Sequence, residues 1–330
     1  MHIFDRRQTL ALLASAAAAS SLRGTPALAA DYPNRTIKMI VPYPAGGPTD
    51  IMGRVVADFM SRDLKQTVVV DNRPGANGSI GADATARAEP DGYTMLMTAG
   101  SVLVQNPVIY KRLTYDPTRD FRMLGVLTDV PVVMVVHPSM PVKSVKEFVD
   151  YAKQNPGLIN FGSAGIGGTL HLSGERFKYT AGIEMTHVPY KGTAPALADL
   201  LSGHIQVIFD TLSTSIPHIK SGGLRALGMA TPQRLKELPD IPTIAESGYP
   251  DFVINVWFGV AAPIKVSDEV AAIASASMQR AMADRQVREQ LEKIGYVVQP
   301  ARSVVELQTY VDTDRATWAK VVAARNISLD

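Results

Sequence analysis

The sequence predicts an α/β protein of two strand-and-helix units followed by a helical tail. Three observations carry that expectation. Apolar runs of strand length alternate with stretches of helical period. The rhythm breaks into one long β-prone run after Met123 and then restarts. A last apolar run, Val253 to Ala262, is followed only by helical patterns. Alternation of this kind is the signature of a sheet with helices packed on its faces.

In chain order, Ile37 to Val41 reads as a buried strand and Thr49 to Leu64 as a helix with Met52, Val55, Val56 and Phe59 on one face. Thr67 to Val70 is the next strand, Ser79 to Ala88 a helix, and Thr94 to Thr98 another strand. Leu124 to Val136 is the long β-prone run. Ser144 and Glu147 then open a helix at capping-box spacing. Strand Asn160 to Ser163, helix Thr169 to Thr180, strand Met185 to Val188 and helix Pro195 to Ser202 follow, with Gly203 as the stop. Strands Ile205 to Phe209 and Leu224 to Ala230 complete the second unit. In the tail, helices start near Ser267 and Asp284, and Ser303 with Glu306 opens the last one. The tail has few strands of its own, so it is expected to pack on the first unit. The chain then crosses between lobes near Val130 and near Val253. The expected organisation is a signal segment at 1–30, one domain from 31–130 and 254–330, and a second from 131–253. A cleft between two such lobes is a favoured small-molecule site.

The first thirty residues have a different character. A charged start with Arg6-Arg7, an apolar run from Thr9 to Leu22 and the small-residue end Ala27-Leu28-Ala29-Ala30 have the three-part layout of a secretory signal. The apolar run is short for a membrane span and is broken at Arg23 and Pro26. Cleavage is expected near Ala29 or Ala30, which places the mature chain in the periplasm. The arginine pair suits a twin-arginine signal as well as an ordinary charged n-region. Removing Arg6, Arg7, Arg23 and Asp5 from the 33 basic and 31 acidic side chains leaves 30 of each. A neutral mature chain without basic clusters argues against nucleic acid as a partner. The sequence holds no cysteine, so disulfides and thiolate chemistry are excluded.

Four loops carry the candidate chemistry. Pro42 to Asp50 is glycine-rich and leads into a helix that Thr49 or Asp50 could cap. Asn72 to Gly81 does the same with Ser79 as the cap. Ser163 to His171 repeats the arrangement in the second unit, with Thr169 as the capping residue. Unpaired amides at a helix start bind anions. Each loop also reads as an ordinary βα turn. Asp210-Thr211 follows a strand end, where α/β sheets hold ligands, and reads equally as a helix or turn cap. Enzyme signatures are weak. Gly165-x-Gly167 lacks the third glycine of a dinucleotide fingerprint, and no phosphate-binding loop with its lysine occurs. Ser163 is not in a Gly-x-Ser-x-Gly elbow. A triad of Ser163, a histidine and Asp210 stays open as the hydrolase alternative. His171, His187, His204 and His218 lack the spacing of a metal site. No cofactor, metal or catalysis is expected.

At these loops the chain resembles the Bug (TctC-like) extracytoplasmic solute receptors. The carriers are Val41 to Gly47 with Asp50, Asn72 to Gly78, Pro90 to Thr94, Asn106-Pro107, Tyr115 to Pro117 with Asp120-Phe121, Val188 to Gly192 with Asp199 to Leu201, Leu238 to Thr243, and Trp257 to Gly259. Gly168 departs from the pattern, because a serine or threonine is often expected there. The resemblance implies a periplasmic-binding-protein (Venus flytrap) fold, two α/β domains joined by two crossover strands with an interdomain ligand cleft. It implies capture of a small carboxylate, partly through bridging waters, and delivery to the membrane permease subunits of a tripartite transporter by a monomer. A ligand-sensing receptor is the alternative. Carried over by position, Tyr43, Ala45 and Gly47 oppose Ser163, Gly167 and Thr169 around one carboxylate. Ser79 and the Thr98 to Ser101 loop line the first lobe, and Asp210 meets the variable end of the ligand.

Overall fold

The computed structural model describes residues 32–235, 238–325 and 328. The signal segment expected at 1–30 lies outside the described residues. From Arg35 onward the chain forms one compact unit, described below.

Strands β1 (Ile37–Val41), β2 (Val68–Asn72) and β3 (Thr94–Ala99) pair in parallel, with β1 in the middle. Between them run α1 (Pro48–Asp63), a 3-10 turn (Ala76–Gly78) and α2 (Ser79–Ala86). After β3 come a π-helical turn (Ser101–Gln105) and the short α3 (Asn106–Ile109). Strand β4 (Phe121–Val136) is long, as the β-prone run from Leu124 to Val136 predicts. Then follow α4 (Val145–Gln154), β5 (Asn160–Ser163), α5 (Thr169–Ala181), β6 (Thr186–Pro189), α6 (Thr193–Leu201), β7 (Val207–Thr211), α7 (Leu212–Lys220) and β8 (Arg225–Met229). The chain returns through β9 (Asn255–Pro263) and closes with α8 (Asp268–Ala283), α9 (Arg285–Lys293), β10 (Val297–Val298) and α10 (Val304–Arg325).

The sheet order is β2-β1-β3-β9-β4-β7-β5-β6, with β8 and β10 pairing β4 off that path. β4 joins its two ends. Residues from Phe121 to Pro131 pair antiparallel with β9, and Val132 to Val136 pair antiparallel with β7. The parallel ladders lie on either side: β1, β2 and β3 together, and β5, β6 and β7 together. The strand–helix rhythm predicts those parallel ladders. It does not predict the antiparallel β4 and β9, because strand direction is set by connections between distant parts of the chain.

Helix ends away from the ladder tips follow the local sequence. Ser144 accepts from Glu147 N at 3.1 Å while Glu147 Oε2 accepts from Lys143 N at 2.7 Å. Ser267, Asp284 and Ser303 accept in the same way from Val270, Val287 and Glu306 amides. Such caps contribute about 1 kcal/mol each. The tail packs on the side of β1 to β3, through α8 against α1 and α10 against the π turn. Trp257 Nε1 on β9 donates to Asp314 Oδ2 on α10 at 2.7 Å, and Arg315 donates to the Leu103 carbonyl of the π turn. Strand β1 is buried apart from Lys38, with Ile37, Met39 and Val41 at 0 % exposure. Full burial of such side chains contributes about 1.5–3 kcal/mol each, which anchors β1 beneath the loop at its tip.

α7 is a helix the sequence reading missed. Pro217 in its interior and three hydroxyl residues in its first turn mask the pattern. β7 also runs two residues further than expected. Asp210 is therefore inside the strand, in register with Val133, rather than in a loop beyond it.

Candidate functional site

Four helix starts surround one cleft between the carboxyl ends of the two parallel ladders: those of α1, α5, α6 and α7. None carries a side-chain cap. The helices with working caps, α4, α8, α9 and α10, contribute no residue to the cleft. The cause is local. Gly47, Gly168 and Gly192 occupy the capping positions of α1, α5 and α6, so Thr49 and Thr169, which the sequence suggests as caps, fall inside the first turn, as does Thr193. First-turn amides have no partner within their own helix, so the amides of Thr49 and of Thr169 to His171, all residues that line the cleft, are unpaired within α1 and α5.

The Pro42 to Asp50 loop is folded by Asp50 rather than capped by it. Asp50 Oδ2 accepts from Gly46 N and Arg54 Nε, both at 2.9 Å, and Oδ1 accepts from Asn72 Nδ2 at 2.9 Å. Burial acts to raise the Asp50 pKa, but the hydrogen bonds from Arg54, Gly46 and Asn72 outweigh it and hold the carboxyl below its ordinary range. Asn72 Nδ2 also donates to the Tyr43 carbonyl at 3.0 Å. The Tyr43 hydroxyl shares a 2.8 Å hydrogen bond with Ser101 Oγ and donates to Asn77 Oδ1 at 3.2 Å.

On the opposite wall, Gly167 N donates to His171 Nδ1 at 3.0 Å, which bends the loop onto the first turn of α5. Gly167 has φ +83°, a conformation costly for other residues. His171 stacks on His187 with ring centroids 3.9 Å apart. His171 lines the cleft, and burial lowers its pKa, which favours the neutral ring. The two walls touch. An added Cβ at Gly168 would lie 2.9 Å from Asn77 Oδ1, and one at Gly192 would lie 2.9 Å from the Pro44 ring. This contact accounts for Gly168, where the family resemblance suggests a hydroxyl residue: the Asn77 carboxamide occupies that space.

Of the residues singled out in the sequence, Tyr43, Ala45, Gly47, Ser101 and Thr169 line the cleft. Ser79, Thr98, Ser163, Gly167 and Asp210 are outside that lining. Ser79 accepts from Asn106 Nδ2 at 3.2 Å, and Thr98 Oγ1 donates to the Ala99 carbonyl at 3.0 Å. Ser163 is buried and hydrogen-bonded to Gly165 and, at 2.7 Å, to His187 Nε2. Asp210 is fully buried, and its Oδ2 accepts from Thr214 and Ser215 at 2.7 and 2.6 Å. Burial pushes its pKa up to about 6. Thr211 lines the cleft in its stead, since neighbours on a strand face opposite ways. Asn77, Thr49, Gly192 and Thr193 were missed as lining residues. Gly192-Thr193 carries the same glycine-then-hydroxyl signal as Gly168-Thr169 and was legible in the sequence. The position of Asn77 opposite Gly168 was not.

The lining contains no Asp, Glu, Lys or Arg side chain. The field in the cleft is therefore that of the helix starts, each the positive end of a dipole. The cavity between the walls has a volume of about 50 Å³. Among the described residues no cluster of three His, Asp or Glu is placed to hold a metal, and no helix is long and apolar enough to cross a membrane.

Residues 52–327 match the model of the tripartite tricarboxylate transporter family receptor. The chain is similar to periplasmic binding protein BugD, at 34% identity and TM-score 0.86, covering 90% of this chain and 99% of that one. Rpa4515 of R. palustris, solved with adipate, gives 34% identity and TM-score 0.87 over 90% and 99% of the two chains. MatC (Rpa3494) of Rhodopseudomonas palustris, solved with bound malate, gives 30% identity and TM-score 0.84 over 88% and 100%.

Proposed function

Because the chain belongs to the tripartite tricarboxylate transporter receptor family and has the periplasmic-binding-protein fold, we propose that it captures a small carboxylate in the cleft between the ladder tips. The observation that carries the reading is a cleft with four uncapped helix starts and no charged side chain. An anion there meets preorganised N–H donors and no competing counter-ion. Hydrogen bonds to a charged group contribute about 1.5–3 kcal/mol each. Four of them give about 6–12 kcal/mol before ordering costs, and micromolar affinity needs about 8 kcal/mol.

In this reading one carboxylate bridges the Tyr43 to Thr49 loop and the first turn of α5, partly through waters. Thr193 and Thr211 border the remainder of the ligand. The two lobes are 31–130 with 254–330, and 131–253, and they hinge where β4 and β9 cross. Similarity to proteins solved with adipate and malate favours a dicarboxylate of four to six carbons. The exported chain waits in the periplasm and hands its ligand to permease subunits of a tripartite transporter without turning it over. The Ser163–His187 pair does not favour hydrolysis. Burial, with His171 and Lys178, lowers the His187 pKa to about 3, which makes it a weak base at neutral pH. Asp210, the acid a triad would require, is bonded to Thr214 and Ser215.

A thermal-shift screen across malate, adipate, citrate and benzoate, followed by calorimetry, tests the reading. A ligand at a hundredfold its Kd adds about 2.7 kcal/mol of stability. One-to-one binding of at least one acid without product formation is expected. No shift with any carboxylate, or release of product, refutes it.

A further inference from the structure

We propose that Gln105 is a positioning residue that holds the cleft shut through the Thr169 hydroxyl. Gln105 ends the π-helical turn after β3, and α10 fixes that turn through Arg315 and the Leu103 carbonyl. Its side chain is 2 % exposed. Its Nε2 donates to Thr169 Oγ1 at 3.1 Å, across 64 residues and across the cleft. Its Oε1 has no partner among the described residues. A buried carboxamide is unfavourable for packing alone, where an apolar side chain would serve better. Its one hydrogen bond is the contact to the opposite wall.

The direction of that bond matters. Because Gln105 donates, one lone pair of Thr169 Oγ1 is engaged from the first wall, which leaves the hydroxyl's proton available to a partner in the cleft that Thr169 lines. The bond thus has two effects. It favours the arrangement in which the walls meet, alongside the seat that Asn77 forms at Gly168. It also presents an O–H donor beside the free amides of α5.

This inference rests on the proposed capture by closure, and its test does not need the ligand. The chain contains no cysteine, so Leu158→Cys and Val305→Cys, at positions 64 % and 76 % exposed, provide two specific spin-label sites. Distances are measured by pulsed electron resonance in the ligand-free protein, with melting temperatures recorded for every variant. The labelled chain is expected to show a closed population. Gln105→Met lowers its closed-to-open ratio about fivefold, the effect of one ordinary hydrogen bond. Thr169→Val, which keeps shape and loses the hydroxyl, lowers it equally, and the double variant matches either single one. A ligand-free protein with no closed population, a Gln105→Met distribution like that of the unsubstituted chain, or additive effects in the double variant each overturn the proposal. Malate and adipate titrations of the same labelled chains test the capture reading separately. If neither closes the protein while Gln105→Met still opens it, the latch stands and the carboxylate reading falls.

Discussion

Gly168→Ser restores the hydroxyl residue that the family resemblance suggests at the start of α5, yet it is expected to weaken binding. The added Cβ would lie 2.9 Å from Asn77 Oδ1, closer than such atoms approach. Asn77 cannot turn aside freely, because Oδ1 accepts from Tyr43 at 3.2 Å and Nδ2 donates to Asn106 Oδ1 at 2.7 Å. Breaking one or both bonds costs about 0.5–1.5 kcal/mol each. The alternative, a small separation of the walls, loses the contacts that close the cleft. Either route disfavours the closed form by roughly 1–3 kcal/mol, a 5- to 150-fold loss of affinity. If the walls part when the ligand leaves, ligand-free stability should change by less than the affinity does. Calorimetry with whichever acid binds the unsubstituted chain measures the loss, and a melt of the ligand-free variant checks the fold. Pairing Gly168→Ser with Asn77→Gly removes the obstruction and should recover most of the affinity. Unchanged affinity in Gly168→Ser, or no recovery in the pair, refutes the argument that these residues meet when the ligand is held.

Thr169→Val is expected to weaken carboxylate binding by about 10- to 150-fold, the effect of one charge-assisted hydrogen bond, with the far-ultraviolet circular dichroism unchanged. Asp210 gives a pH signature. Its folded pKa, about 6, is above that of an exposed carboxyl, so the folded state holds the proton more tightly. The stability it contributes is fully present below about pH 4 and is lost as pH rises through 6, by up to about 3 kcal/mol. Denaturant melts between pH 4 and 8 should show that fall in the unsubstituted chain and a flatter profile in Asp210→Asn. Ser267→Ala removes a cap distant from the cleft. It should lower stability by about 1 kcal/mol while leaving carboxylate affinity within twofold, as measured by melts and calorimetry side by side.

The legible parts of the molecule are those whose cause lies within a few residues. Alternating apolar runs mark β1 to β3 and β5 to β7, and Ser144, Ser267, Asp284 and Ser303 mark helix starts because a cap reaches only three residues along the chain. The glycine loops at Gly46-Gly47 and Gly167-Gly168 are readable as candidate anion sites for the same reason. Whether those helix starts stay uncapped was a one-residue matter: with glycine at the capping position, Thr169 falls inside the helix and its hydroxyl is free to meet Gln105. The two-residue extension of β7 likewise turns Asp210 into the core and Thr211 toward the cleft. Tertiary structure alone decided that β4 and β9 run antiparallel between the parallel ladders, and that Asn77 and Gln105 from one wall reach Gly168 and Thr169 on the other. Those contacts join segments 64 to 91 residues apart, and no local periodicity encodes which loops the folded sheet brings together.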